Sequence, residues 1–541
     1  MRRWLGLAAI LLAACAGPPE GEPSPAAVGV DDTQAPASWS GDTRRVPGDY
    51  PTIQAAVDAA AAGDLILVGE GVYHEEVQIS TPGLTLRGAD REEVVIDGES
   101  VRPNGVIVFA DGVAIENLTV RNATENGLLW TGVRGYRASY VTALDNEVYG
   151  IYAFDSGDGL FEHSYAAGSY DAGFYIGQCD PCQAVIRDVV AEWNGLGYSG
   201  TNASGDLYIV DSVWRHNVAG IVPNTLDTEL LPPFHGVTIA GNLIHDNGNR
   251  EAPSFTTEWS GYGNGVILAG GNDSVVTRNR IVNHPTNGVA VTPNLSRNLW
   301  MSGGNRVTGN VIEGSGRADI ALAGPASTGN CFEDNGDPAT FPVGLELLQP
   351  CEGVRLPVLF ELAGSTEQLG RIAESELGLK PPGAESAPRP DAQPQLPQGA
   401  EAPVRPATNV FTQAVPDLAR IEVPATEIPV HQQRGVTLFG ILFSSAPGVF
   451  FGLYAYLLPF VLYAAWVGIA LWDLVRRDEV GRGGVIAWTA AILLVPFLGV
   501  VAYHLFSRSP IPLWHRLTYV VGGILAYVVI LGLGALAGGI V

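Results

Sequence analysis

Two tyrosines one repeat apart, Tyr152 and Tyr175, lie beside a polar row made by Asp155, Gln178, Asn202 and Thr225. Aromatic rings stack on sugar rings, and amides or hydroxyls at a regular spacing can hydrogen-bond successive hydroxyls of an extended glycan. Acid–base chemistry needs paired groups of tuned proton affinity. Asp155, Asp158 and Asp171 offer carboxyls for it, with Arg215 and His216 as proton handlers. Two inserted segments, 226–235 and 250–259, add Asp227, Glu229, His235, Glu258 and Trp259, which can line one wall of a groove. A solvated face with incidental tyrosines is the plain alternative to this substrate-binding reading. No metal ligands are nominated, because the single Cys179-Asp-Pro-Cys182 lacks a second ligand pair.

Positioning these residues requires a periodic scaffold. A glycine followed by a short apolar strand recurs at Gly127, Gly150, Gly173, Gly197, Gly220, Gly265 and Gly288, at intervals of 23, 23, 24, 23, 45 and 23. A fixed period with one strand per repeat marks a solenoid, and the wide interval reads as one coil swollen by insertions. Ile151, Phe174, Tyr198, Ile221, Val266 and Val289 follow the glycines and should stack in a core. Asn146, Asn194, Asn217, Asn247 and Asn283 recur upstream as an expected turn ladder. A helix opening at Thr52 or Pro51, with Ile53, Ala56, Val57 and Ala60 on one face, is placed to cap the solenoid.

The chain ends set the compartment. Arg2, Arg3 and the apolar run Trp4 to Leu12 read as an export signal, and Leu12-Ala13-Ala14-Cys15 resembles a bacterial lipobox, with Cys15 as the lipidated residue. In an exported chain the remaining cysteines suit two disulfides, Cys179–Cys182 and Cys331–Cys351. Apolar runs at about 449–471, 485–503 and 517–541 predict three transmembrane helices. Arg476, Arg477 and Arg482 place the first loop in the cytoplasm. The large N-terminal region then lies on the extracytoplasmic side of the cell membrane in a multi-pass protein. Residues 438–541 carry +2 and the signal arginines +2, so the total of −26 leaves −30 on residues 16–437. Such a surface repels phosphate backbones and excludes nucleic acid as a partner. No cofactor is evident; an anionic polysaccharide would need either a bridging cation such as Ca2+ or a local basic patch.

The segment YPTIQAAVDAAAAGDLILVGEGVYHEEVQIS, followed by GLTLRG and VVIDG, resembles the opening of pectinesterase- and pectate-lyase-type right-handed β-helices, and the later coils resemble parallel β-helix repeats. The resemblance covers about residues 45–350. It implies a fold more than an activity, because this fold hosts many chemistries. The two aspartates and arginine of pectinesterases do not align here, and the Asp-Pro-His motif of alginate epimerases is absent. Lys380 is the only lysine, which excludes a lysine-dependent lyase. In LWDLVRRDEVGRGGVIAWTAAILLVPFLGVVAYHLF, residues Trp488, Pro496, Gly499 and Tyr503 resemble the N-terminal transmembrane hairpin of cardiolipin synthases and related phospholipase D proteins. The His-x-Lys-x4-Asp motif is missing, so neither of those activities is expected.

The expected architecture is therefore an all-β right-handed parallel β-helix ectodomain joined to an α-helical membrane domain. Its parts are a lipoprotein signal (1–15), a flexible tether (16–44), the β-helix (45–354), a disordered Pro-rich acidic stalk (355–437) and the membrane domain (438–541). Eight prolines in 381–406 carry the stalk reading. The expected partners are polysaccharide and membrane lipids. The expected role is recognition, with modification by a lyase, esterase, hydrolase or epimerase left open. The rival is a non-catalytic structural or adhesive surface protein.

Overall fold

The structure, a computed structural model, describes residues 39–355, 386–431 and 446–525, apart from 256, 325, 327, 478, 495–497, 508 and the side chains of 259 and 446–460. The signal, Cys15, most of the tether, residues 356–385 and most of the third apolar run lie outside the described residues.

Repetition of strand, bend, strand, bend, strand winds the chain into a right-handed solenoid with three parallel ribbons. The first ribbon runs from Thr43–Val46 to Cys331–Glu333, and the second from Gly71–Tyr73 to Val311–Glu313. The long strands Val113–Arg121 and Arg134–Leu144 belong to both. The third ribbon is an eleven-stranded sheet from Val77–Ile79 to Thr340–Phe341. Its register pairs Ile151 with Phe174, Phe174 with Tyr198, Tyr198 with Ile221 and Ile221 with Val266. All of these, with Val289, are fully buried in one continuous core. The 45-residue interval is thus a single coil, because both insertions leave the strand register unbroken.

Polar groups at the bends are satisfied between coils. Asn194 Nδ2 donates to Asn217 Oδ1 and Asn217 Nδ2 to Asn247 Oδ1, each at 3.0 Å, while Asn146 Oδ1 accepts from Ala123 N at 3.1 Å. Asn283 departs from this ladder: His284 occupies the position beside Gly265 that Asn247 holds beside Gly220. A second ladder, Asn242–Asn279–Asn310–Asn335, runs along another bend. The helix Ile53–Asp58, N-capped by Thr52, closes the first coils with Ile53, Ala56 and Val57 buried. Both expected disulfides are present.

The expected free stalk is different in the described part. Residues 386–431 form a strap along the first and second ribbons. Strap carbonyls find donors that sequence alone does not reveal: Arg87 donates to Ala402 O and Pro403 O, Arg91 to Pro394 O, and Arg280 to Pro424 O. Asp158 accepts from Asn409 N and Phe411 N. Ala407, Val410, Ala414 and Ile421 of the strap pack on outward-facing Ala114, Leu160, Val185, Val210 and Ala240. Prolines suit this role, since a strap bound through carbonyls and side chains loses little by lacking N–H groups and pays less conformational entropy on ordering. Beneath the strap lies a buried charge ladder. Glu116 accepts from Arg87 at 2.7 Å and from Arg137 at 2.9 Å, and Glu162 pairs with Arg187 at 2.7 Å. Burial alone would raise the Glu162 carboxyl, but Arg187, Arg137, His163 and Arg405 outweigh it and hold the group at about 2.

The C-terminal region is helical, with helices at Ala446–Val475, Arg482–Leu494, Leu498–Phe506 and Leu513–Leu517. The second expected span, 485–503, thus carries two helices, and Gly499 meets the Ala491 backbone where they pack. Among the described residues no helix is long and apolar enough to cross a membrane.

Candidate functional site

With the first ribbon strapped over, the outward face of the third ribbon is the surface on which the insertions converge. Three outward rows follow from its register. One is Tyr149, Ala172, Leu196 and Ala219, and the next is Tyr152, Tyr175, Ser199 and Val222. The last is Phe154, Gly177, Thr201 and Asn224, with Thr201 placed by its pairing to Asn224. Ala172, Leu196, Ala219, Val222, Ile267 and Ala269 make an apolar floor against which Tyr149 packs. Tyr149, Tyr152 and Tyr175 cluster at one end, with ring centroids 4.5 to 4.8 Å apart.

Both insertions bring a carboxylate to this cluster. The 226–235 loop is held by the polar row: Asn202 Nδ2 donates to the carbonyls of Leu226, Glu229 and Leu230, and Gln178 Oε1 accepts from Leu230 N at 2.9 Å. Thr225 Oγ1 donates to Gly270 O and accepts from Phe234 N. Glu229 Oε1 then accepts from Tyr175 Oη at 2.9 Å, while the buried Glu229 Oε2 has no hydrogen-bond partner. The 250–259 insertion docks through Phe255, whose N–H donates to Tyr170 O and whose ring lies 5.5 Å from that of Tyr170. The short helix Glu258–Gly261 follows, over Leu196, Ala219 and Ile267. Asp171, just before the strand Ala172–Gly177, accepts from the Tyr149 hydroxyl.

Electrostatics make these carboxyls unusual. Burial, then the charges of Glu258 and Glu229, push Asp171 well above the ordinary carboxylate range, and the Tyr149 bond offsets this only in part. Burial likewise pushes Glu229 up to about 7 against the opposing Tyr175 bond. Burial and the neighbouring carboxylates hold the Tyr149, Tyr152 and Tyr175 phenols above their usual range, so they stay protonated as donors. The charges acting on these five groups are carboxylates and phenols alone. Carboxyls this close cannot all ionise together, so the cluster retains protons that isolated carboxylates would have released. Among the described residues no group of three His, Cys, Asp or Glu side chains is placed to hold a metal ion.

Against this geometry the expected site residues divide. Asp171, Tyr152 and Tyr175 meet in the cluster, but Tyr175 is only 1% exposed and edge-on to Tyr152, so it is a hydrogen-bonding group rather than a stacking platform. Gln178, Asn202 and Thr225 are buried at the bend, where Gln178 and Asn202 bond the 226–235 loop and Thr225 links that loop to Gly270 O. Asp155 is an exposed bend residue with φ +51°. Asp158 anchors the strap, and Arg215 pairs with Glu192 at 2.7 Å. His216 packs on His245 at a separate bend, where burial lowers its proton affinity. Asp227 binds Asn298 and ties the loop to the hairpin Asn294–Trp300. His235 lies 3.8 Å from Asp180 at another bend, and the Trp259 side chain is outside the described residues. Tyr149 escaped the sequence reading because it precedes its glycine and breaks the strand alternation. Glu229 and Glu258 were visible only as loop acids, since no periodicity fixes where an insertion folds back.

Residues 104–298 match the family described as right handed beta helix region, and residues 464–508 match phospholipase D-nuclease N-terminal. The chain is 30% identical over 116 residues to the uncharacterized protein YwoF of Bacillus subtilis (strain 168), covering 19% of this chain and 25% of that protein. It is 26% identical over 278 residues to pectate lyase PEL9 of Emericella nidulans, covering 46% of this chain and 65% of that protein. The chain thus spans less than two thirds of either relative. Similar solved structures include the A-module of Azotobacter vinelandii mannuronan C-5 epimerase AlgE4 (TM-score 0.39, 19% identity, 52% of this chain and 89% of that chain). Pectate lyase Pel9A is another (TM-score 0.34, 17% identity, 52% and 72%).

Proposed function

We propose that this right-handed β-helix recognises polysaccharide along the third ribbon and hydrolyses it at the cluster of Asp171, Glu229 and Glu258. The observation that carries the reading is the convergence of two insertions on two tyrosine-bonded carboxyls, Asp171 raised well above the ordinary carboxylate range and Glu229 raised to about 7. Glycosidic hydrolysis needs such a division of labour between acid and base. A protonated carboxyl, Glu229 by its affinity near 7, gives its proton to the leaving glycosidic oxygen as the C–O bond breaks. An ionised partner takes the proton of the water whose oxygen bonds the anomeric carbon. The tyrosine hydroxyls orient the carboxyls, and the apolar floor supports a sugar face. Likeness to a pectate lyase over nearly half the chain supports a polysaccharide as ligand. We further propose that the apolar C-terminal helices hold the solenoid on the extracytoplasmic side of a cell membrane, a reading supported by the uncharged run from Val449 to Leu471.

The test incubates the full chain with neutral and uronate polysaccharides and follows new reducing ends together with ultraviolet absorbance of unsaturated uronate. Reducing ends without that absorbance, lost in both Glu229→Gln and Asp171→Asn, are expected. Unsaturated product would replace hydrolysis with elimination. Binding without turnover in the parent chain would leave a carbohydrate-binding solenoid, and neither binding nor turnover would leave the structural or adhesive reading.

A further inference from the structure

The outer surface of the loop that carries Glu229 is apolar and, among the described residues, uncovered. Leu230, Leu231, Leu295, Leu299 and Met301 are between 44% and 69% exposed, and the two leucines of the hairpin Asn294–Trp300 face each other across its ladder. Loop and hairpin form one body. Asp227 accepts from Asn298 N and Nδ2, Asp227 N donates to Ser296 Oγ, and Asn294 Nδ2 donates to Thr225 O. Five large apolar side chains held outward on a braced platform make a patch of the kind that covers something, because nothing in the loop's own packing requires them outside. Exposed Arg297 sits at the tip of the hairpin.

What covers the patch follows from where the chain goes next. The last described residues of the strap lie on the same coil as the hairpin: His431 N donates to Asn283 Oδ1, and Val430 lies against Gly314. Residues 432–445 then lead to the apolar helix Ala446–Val475. Fully extended, that stretch reaches on the order of 50 Å, comparable to about ten coil spacings of ~4.8 Å. The helix therefore begins within about 50 Å of this coil, and an 80-residue free stalk does not separate them. The solenoid is strongly acidic, so an anionic surface would repel it, whereas a zwitterionic one would not. We propose that the tips of the 226–235 loop and the 294–300 hairpin rest in a zwitterionic lipid surface, with their leucines and Met301 among the acyl chains and Arg297 at headgroup level. This inference rests on the proposed membrane attachment of the C-terminal helices. It places the Asp171–Glu229 cluster on the side of the solenoid toward the bilayer, so the glycan it meets is membrane-proximal.

The experiment uses the full chain in a Cys15→Ser background, reconstituted in phosphatidylcholine vesicles with or without brominated acyl chains. A single environment-sensitive fluorophore is attached at Leu230→Cys, Leu299→Cys, Val101→Cys or Val461→Cys. Val101 is an exposed position on an early coil, and Val461 is exposed on the apolar helix. Brominated lipid is expected to quench labels at 230, 299 and 461 and to leave the label at 101 unchanged. Quenching at 461 but not at 230 or 299 overturns the loop contact and leaves the membrane attachment standing. No quenching at 461 overturns both. Equal quenching at 101 overturns the inference by showing non-specific adsorption. Shielding of 230 and 299 without lipid quenching, together with a cross-linked dimer, assigns the patch to a second copy of this chain and likewise overturns it.

Discussion

Removing the Glu116 carboxylate tests whether the strap is an integral part of the fold. Glu116 lies between Arg87 and Arg137, all three side chains no more than 3% exposed. Arg137 Nε already lacks a partner, and Arg87 also donates to strap carbonyls. In Glu116→Ala two guanidinium groups stay beneath the strap without their shared counter-charge, and breaking a buried pair from one side costs about 3–5 kcal/mol. The strap sets a ceiling on that cost. It is held here by Ala407, Val410, Ala414 and Ile421, and burying one Val or Ile side chain is worth about 1.5–3 kcal/mol. The cheapest relief is to lift the strap and hydrate the arginines. Hydrogen exchange at Leu396, Asn409 and Phe411, whose N–H groups donate to Asn117 and Asp158, should therefore accelerate before the solenoid core opens. Urea unfolding of the full chain should show a loss of about 3–5 kcal/mol in the transition reporting the strap. A loss under about 1 kcal/mol, or unchanged exchange at those three amides, would refute the idea that buried charges fasten the strap.

Glu229→Gln should stabilise the protein in alkaline solution. A carboxyl whose folded affinity lies at about 7 holds a proton that the unfolded chain has released, so stability falls as pH rises from the unfolded value near ~4.3 through 7. The variant should gain on the order of 1–3 kcal/mol at pH 8 and nothing at pH 4; equal urea midpoints at both values would show that Glu229 is not proton-rich in the fold. Asn217→Ala strips the ladder of an oxygen that accepts from Asn194 and an amide that donates to Ala191 O. The unsatisfied groups should cost about 2–4 kcal/mol by thermal melting, and a neutral result would mean that the ladder is ornamental. A methyl group at Gly159 would run into the ring of fully buried Tyr136, so Gly159→Ala should cost at least ~1–3 kcal/mol; the Gly159→Ala, Tyr136→Phe double variant should be no better, because the clash is with the ring.

The solenoid, its core row from Ile151 to Val289, most of the asparagine ladder, the capping helix and both disulfides were legible in the residues alone. Each of these is a local rule repeated at a fixed interval, so a residue's place in the coil dictates its surroundings. The swollen coil was also legible, because a register maintained across 45 residues forces the excess chain outward. Tertiary structure alone decided three other things. It turned Gln178, Asn202 and Thr225 from a candidate ligand ladder into the fastening of a loop, since a bend at φ near +50° takes Gln178 and Asn202 off the strand face. It brought Tyr149, Glu229 and Glu258 to Asp171 from three separate segments, which no repeat position announces. It also laid residues 386–431 on Arg87, Arg91 and Glu116 rather than leaving them in solvent. Composition predicts disorder when a segment cannot bury enough of its own apolar surface, but here the buried surface and the hydrogen-bond donors belong to a partner some 300 residues away in the chain.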